Sequence, residues 1–202
     1  GAFSAECSVS ISGIEIPENP ETILYSLPMP TTFTGSNYID TGVCPLATDT
    51  PFTIFIDWVN TGENDFVGSK HVVAHCMTEA NPYPGIILQY APAGLVSEFR
   101  QGESISSNST GADIANADLY EAKIIYRKQA NGTITISRCY NNNGQIHKNE
   151  KTMDYVVVSE PLRLGCYRSN VGGTGRFAKG ILNNCRVYDY ALSDAEMEEL
   201  LI

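Results

Sequence analysis

No apolar run in this chain approaches the roughly 18 residues that a membrane-spanning helix needs, although 43% of its 202 residues are hydrophobic. Positive charge is scarce. Thirteen Lys and Arg stand against 23 Asp and Glu, for a formal net charge of -10. Nucleic acids and anionic bilayers are bound through basic residues, so both are excluded as partners, and no membrane insertion is expected. None of the six cysteines, at 7, 44, 76, 139, 166 and 185, belongs to a Cys-x-x-Cys pair, which excludes zinc knuckles and thioredoxin-type redox sites. An even count permits three disulfides. However, Cys76, Cys139, Cys166 and Cys185 fall in strand-like runs, where a free thiol packs as a small hydrophobe. Buried free thiols are the preferred reading, and one or more disulfides the alternative. With 18% charged residues and ample apolar content, the chain is a folded acidic domain rather than a disordered segment.

Helical periodicity is also nearly absent. Phe52-Thr53-Ile54-Phe55-Ile56-Asp57-Trp58 places apolar residues at 52, 54, 56 and 58, a strand with one clearly buried face. Residues 120–127 alternate likewise and run through Asn131-Gly132 into a second alternating run, 133–138. Asn-Gly between two such runs predicts a hairpin with a type I′ turn. Further strands are expected at 8–16, 37–43, 67–76, 85–90, 94–100, 145–150, 154–159, 161–167, 175–179 and 181–189, with a second tight turn at 141–144 and a long surface loop over 101–118. Many short strands punctuated by Gly, Pro and Asn indicate an all-β sandwich or barrel. One helix is expected, at the C-terminal end. Ser193-Asp194-Ala195-Glu196 has the spacing of a capping box, and Met197, Leu200 and Leu201 would face the sandwich.

Four stretches carry a family resemblance. Phe33-Thr34-Gly35-Ser36-Asn37-Tyr38-Ile39-Asp40-Thr41-Gly42 resembles the opening of laminin-G-like domains in the concanavalin A-like lectin/glucanase superfamily. Pro51-Phe52-Thr53-Ile54-Phe55-Ile56-Asp57-Trp58-Val59 resembles the family's "P-F-T-I-x-x-W-V" strand, and Pro161-Leu162-Arg163-Leu164-Gly165 its "P-L-R-I-G" strand. Gly180–Tyr188 followed by Ala191-Leu192-Ser193-Asp194-Ala195-Glu196 resembles its closing strand and helix. The resemblance implies a two-sheet antiparallel jelly roll over residues 31–202; residues 1–30, outside it, are expected to supply a first strand of the same domain, with an arm from a preceding one as the alternative. It implies binding on a sheet face or rim loops, of the kind found in bacterial surface and bacteriophage structural proteins. Where the family has Asp-Glu before its closing strand, this chain has Asn183-Asn184. The loss of both carboxylates weakens a calcium site there; calcium would have Asp40 and Asn183 as its ligands.

Catalytic patterns in the chain are incomplete. The glucanase branch carries carboxylates at alternating strand positions, and retaining hydrolysis needs two of them about 5–5.5 Å apart. Glu63-Asn64-Asp65 is a partial match lacking the second glutamate. His71 and His75, on a strand, would share a face about 13 Å apart, too far for one metal ion. Gly173-Thr174-Gly175 precedes a strand where a dinucleotide fingerprint needs a helix. The sequence therefore reads as a non-catalytic recognition or adhesion module for carbohydrate or a cell-surface protein. It would stand outside the cell, at the cell surface or on a virion. The rival is a structural virion or surface-assembly protein that forms homo-oligomers. Candidate ligand contacts are Tyr83, Tyr90, Tyr140, Asn142, Tyr167, Arg168 and Asn170, because sugar sites stack rings on aromatics and fix hydroxyls with Asn and Arg.

Overall fold

The computed structural model describes residues 23–61, 71–78, 83–91, 94–101, 105–109, 120–142, 145–167 and 177–202. In chain order the strands are β1 (Ile23–Ser26), β2 (Thr31–Thr34), β3 (Ile39–Asp40), β4 (Phe52–Asn60), β5 (His71–Met77), β6 (Gly85–Ala91), β7 (Gly94–Arg100), β8 (Ile105–Ser109), β9 (Tyr120–Lys128), β10 (Thr133–Asn142), β11 (Gln145–Asp154), β12 (Arg163–Leu164) and β13 (Lys179–Tyr188). They are followed by helix α1 (Asp194–Leu201). Sheet A runs β1-β13-β4-β9-β10-β11, with β2 also on β13, and sheet B runs β3-β12-β5-β6-β7-β8. The strand pairs of both sheets are antiparallel. The two sheets face each other as a lectin-like jelly-roll sandwich.

The core follows from alternation. Ile54, Ile56 and Trp58 of β4 and Ile124 and Tyr126 of β9 point inward, to meet Ile86, Leu88 and Tyr90 of β6 and Leu95 and Phe99 of β7. Trp58 lies between the rings of Phe33, 6.2 Å away, and Tyr90, 6.1 Å away. Polar bonds tie the layers. The Tyr90 hydroxyl donates to the Lys179 carbonyl at 2.8 Å and accepts from the Lys179 N–H at 2.9 Å. Arg138 Nη1 reaches from β10 to the Leu95 carbonyl at 3.3 Å.

The second face of β4 is buried too, contrary to the single buried face expected from its alternation. Phe55 and Ile125 lie under α1 in a separate cluster with Cys139, Tyr188, Leu192, Met197 and Leu201. The helix is held by the expected capping box. Ser193 Oγ accepts from Glu196 N at 3.3 Å, and Glu196 Oε2 accepts from Ser193 N at 2.7 Å.

Several boundaries move. The hairpin after β9 is present, but Gly132, at φ 80°, alone supplies the left-handed residue, and Asn131 does not share it. The connection is therefore a longer loop closed by Gln129 N–H to the Thr133 carbonyl, not a two-residue type I′ turn. The strand expected at 154–159 is absent. The chain beyond β11 turns its polar groups to the segment around residues 43–48, with Tyr155 Oη on the Leu46 carbonyl at 2.7 Å and Val158 N–H on the same carbonyl at 2.8 Å. The strands expected at 37–43 and 161–167 shrink to β3 and β12, and β8 lies inside the expected 101–118 loop. Of the strand expected at 175–179, residues 175 and 176 lie outside the described residues, and Phe177 makes one parallel bridge to Val72 before β13 starts. The strand expected at 8–16 lies outside the described residues. The described cysteines, 44, 76, 139, 166 and 185, are free thiols, and all but Cys44 are buried.

Candidate functional site

Sheet B has a polar outer face. Inward positions are fixed by the core residues Leu164, Ala74, Cys76, Ile86, Leu88, Tyr90, Leu95 and Phe99. Their alternates point away from the core. Register then aligns Asp40 with Arg163, Arg163 with His75, His75 with Ile87, and Ile87 with Glu98, one residue per strand across β3, β12, β5, β6 and β7. At a strand spacing of about 4.8 Å this row is roughly 19 Å long. Gln89 and Arg100 stand on the same face, one alternation to either side.

The row is charged, balanced and largely covered. Arg100 donates Nε and Nη2 to Glu98 Oε2, at 2.9 and 2.8 Å, with side chains 18% and 8% exposed. Arg163 Nε lies 3.4 Å from Asp40 Oδ2, with side chains 12% and 44% exposed. Asp40 also accepts from the Gly42 N–H at 3.0 Å, which fixes its carboxylate. His75 is buried, and its ring meets Tyr167 edge-on at 5.0 Å. Beside Tyr167, burial pushes the Cys166 thiol up to about 11, an effect that nearby Arg163 opposes. On this face Arg163 Nη1 and both ends of the Gln89 amide are buried without a hydrogen-bond partner. A buried unsatisfied group costs on the order of 1–3 kcal/mol, a cost that a polar solute bonding there would relieve.

An apolar floor adjoins the row. Val72, Met77 and Ile87 form a cluster on this outer face, with Tyr83 and Tyr167 packed against it. Tyr83 is the one non-glycine residue with positive φ among the described residues, at 61°. Such a conformation costs about 1–3 kcal/mol and persists where surrounding structure imposes it.

The structure thus brings Tyr83, Tyr167 and Asp40 to one face. Tyr90 is a correction. It is fully buried, with its hydroxyl used in the tie to Lys179, because its position in β6 is in phase with Ile86 and Leu88. Tyr140 and Asn142 stand on β10 of sheet A, in register with His147 and Gln145. Arg168 and Asn170 lie outside the described residues. Asn183 is on sheet A, where its Nδ2 donates to Asp57 Oδ1 at 3.4 Å, and burial raises the Asp57 carboxyl with help from Glu121. Asp57 alternates with the core residues Ile56 and Trp58, so this contact is on the outer face of sheet A. Asp40 and Asn183 therefore belong to different sheets and do not share an ion. Among the described residues no three His, Cys, Asp or Glu side chains are grouped to hold a metal. The shift of register between Val72 and Ala74 also breaks the alternation on which a shared face for His71 and His75 depended. Glu63 and Asp65 lie outside the described residues.

The sequence reading missed Arg163, His75, Gln89, Glu98 and Arg100 as a group. One signal was available. Glu98-Phe99-Arg100 puts two opposite charges on one face of a strand whose other face is apolar. Elsewhere, a cavity of about 210 Å³ opens between β10, β11 and α1. There Lys148 pairs with Glu198, and Glu150 Oε2 accepts from Ser137 Oγ.

Fold and face together define an antiparallel jelly-roll sandwich with a polar, partly aromatic sheet face. No protein-family model matches the chain, and no curated protein sequence matches it. Solved structures do. The CBM40 domain of the Ruminococcus gnavus IT-sialidase, bound to α2,6-sialyllactose, is similar at 16% identity and TM-score 0.57 over 86% of this chain and 98% of that one. The leech intramolecular trans-sialidase in complex with 2,7-anhydro-Neu5Ac aligns at 16% identity and TM-score 0.59, over 89% of this chain and 28% of that one. Botulinum neurotoxin type C, whose cell entry is dependent upon interaction with two ganglioside molecules, aligns at 14% identity and TM-score 0.53, over 87% of this chain and 43% of that one. At these identities the likeness establishes the fold.

Proposed function

We propose that this chain is a non-catalytic carbohydrate-recognition module that binds acidic glycans on the outer face of sheet B. The observation that carries the reading is the Asp40–Arg163–His75–Ile87–Glu98 row with Arg100 beside it. A guanidinium pairs with a planar carboxylate through parallel hydrogen bonds, and a carboxylate side chain accepts from sugar hydroxyls. Tyr167 supplies an aromatic edge. In a protein of net charge -10, two arginines on one face give an anionic sugar a local point of attachment. The similar CBM40 domain bound to sialyllactose, and the similar neurotoxin whose cell entry depends on gangliosides, support the same ligand class. Glycans of this kind are displayed outside cells, so the module belongs there. No helix among the described residues is long and apolar enough to cross a membrane.

Hydrolysis fits the face poorly. Its two carboxylates, Asp40 and Glu98, are four strand spacings apart, about 19 Å, whereas glycoside hydrolysis uses pairs about 5–9.5 Å apart. Each is also paired with an arginine.

Calorimetric titration with α2,3- and α2,6-sialyllactose, and with lactose as the neutral control, tests the reading. Saturable binding of the sialylated sugars, no binding of lactose, and at least a tenfold loss in Arg163→Ala are expected. Equal binding of lactose, or no binding of any of the three, would overturn it. One observation favours a structural virion or surface-assembly role instead: the described cysteines are free thiols, the state kept in a reducing compartment. Light scattering that shows a defined homo-oligomer without glycan binding would support that role.

A further inference from the structure

We propose that Tyr83 is a pre-set stacking platform for a sugar ring, anchored on a buried apolar cluster beside the charged row. The inference rests on the carbohydrate reading of that face. Tyr83 has φ 61°, and it precedes Pro84, whose ring crowds the preceding residue out of helical backbone and toward extended conformations. Local preference therefore opposes the conformation twice.

Three features impose it. Thr78 N–H bonds the Pro84 carbonyl at 3.0 Å and closes the loop on the end of β5. Gly85 follows at φ 132°, pressed so close to β5 that a Cβ there would lie 2.2 Å from the Cys76 carbonyl oxygen. The Tyr83 side chain itself packs against Val72, Met77 and Ile87 and remains partly exposed. Ile87 is the row residue between His75 and Glu98, so the ring stands next to the charged groups. Tyr167 packs against the same floor. A sugar ring whose carboxylate meets Arg163 or Arg100 would have the partly exposed Tyr83 side chain at hand. A side chain ordered before binding loses little freedom on binding, which is what backbone strain at this position would secure.

The test compares wild type, Tyr83→Phe, Tyr83→Asn and Arg163→Ala by titration with α2,3-sialyllactose, by saturation-transfer NMR of the sugar ring protons, and by thermal unfolding. Asn is chosen because it tolerates positive φ. We expect Tyr83→Phe to bind within twofold of wild type. Tyr83→Asn should bind at least tenfold more weakly, lose saturation transfer to the ring C–H protons, and unfold within a few degrees of wild type. Unchanged affinity in Tyr83→Asn, with Arg163→Ala impaired, would overturn the platform and leave the carbohydrate reading standing. A tenfold loss that comes with a large fall in unfolding temperature, and with ring-proton transfer retained, would make Tyr83 structural and also overturn it. If neither variant differs from wild type, or wild type does not bind, the face itself has been misread and the platform falls with it.

Discussion

Gly85 shows how sharply a single position can be constrained. Besides the Cys76 carbonyl, a methyl group there would meet Met77 Cα at 2.5 Å, and both obstacles are backbone. Rotamer changes cannot make room, and φ 132° is closed to side chains. Gly85→Ala should lower stability by about 3 kcal/mol, from overpacking and backbone strain together, as measured by urea unfolding. Little of this was legible beforehand. Asn-Pro-Tyr-Pro-Gly reads as a stiff loop and pointed to Tyr83, but a left-handed residue ahead of proline contradicts local preference, and only the tertiary packing of β5 against β6 selects it. Tyr90 failed for the opposite reason. Tyrosine is equally at home in a core or at a sugar site, and its alternation with Ile86 and Leu88 outweighed its polar tip.

Elements were more legible, because alternation and capping are local. The Ser193 box was readable from four residues, and replacing Ser193 with Ala should cost about 1 kcal/mol in the same unfolding measurement. The loss extends beyond the helix, since α1 covers Phe55 and Ile125. Arg127 reinforces this end of the helix by donating Nη1 to the Leu192 carbonyl at 2.9 Å and to Asp194 Oδ1 at 2.6 Å. The short strands β3 and β12 were overextended from sequence. Their neighbouring backbone groups bond each other outside the ladder, as Thr41 N–H does with the Leu162 carbonyl, a choice that alternation does not encode. The candidate site suffered most. Its residues come from five strands, and a row across a sheet is a property of register, which the separate segments do not display.

For the whole molecule, burial of titratable groups sets the alkaline limit. Burial pushes Cys185 up to about 12 and, despite Arg163, Cys166 up to about 11, from an ordinary value of 9.0. Burial also raises Tyr126 and Tyr155 above the ordinary 10.0. The folded state therefore keeps protons that the unfolded chain releases from about pH 9 upward. Stability should be unaffected by these groups below about pH 9 and should fall progressively from there toward pH 12. Urea midpoints across that range check the expectation, and a flat profile through about pH 11 would contradict it.

The pairing of the first described strand with the last, Ile23 opposite Tyr188, bears on how the protein can be mounted. Both belong to sheet A, and α1 carries the chain to Ile202 over the outer side of that sheet. A linker attached at Ile202 leaves from the side opposite the Asp40–Glu98 row. Coupled to a bead or sensor chip through that end, the molecule would present sheet B outward to the passing solution.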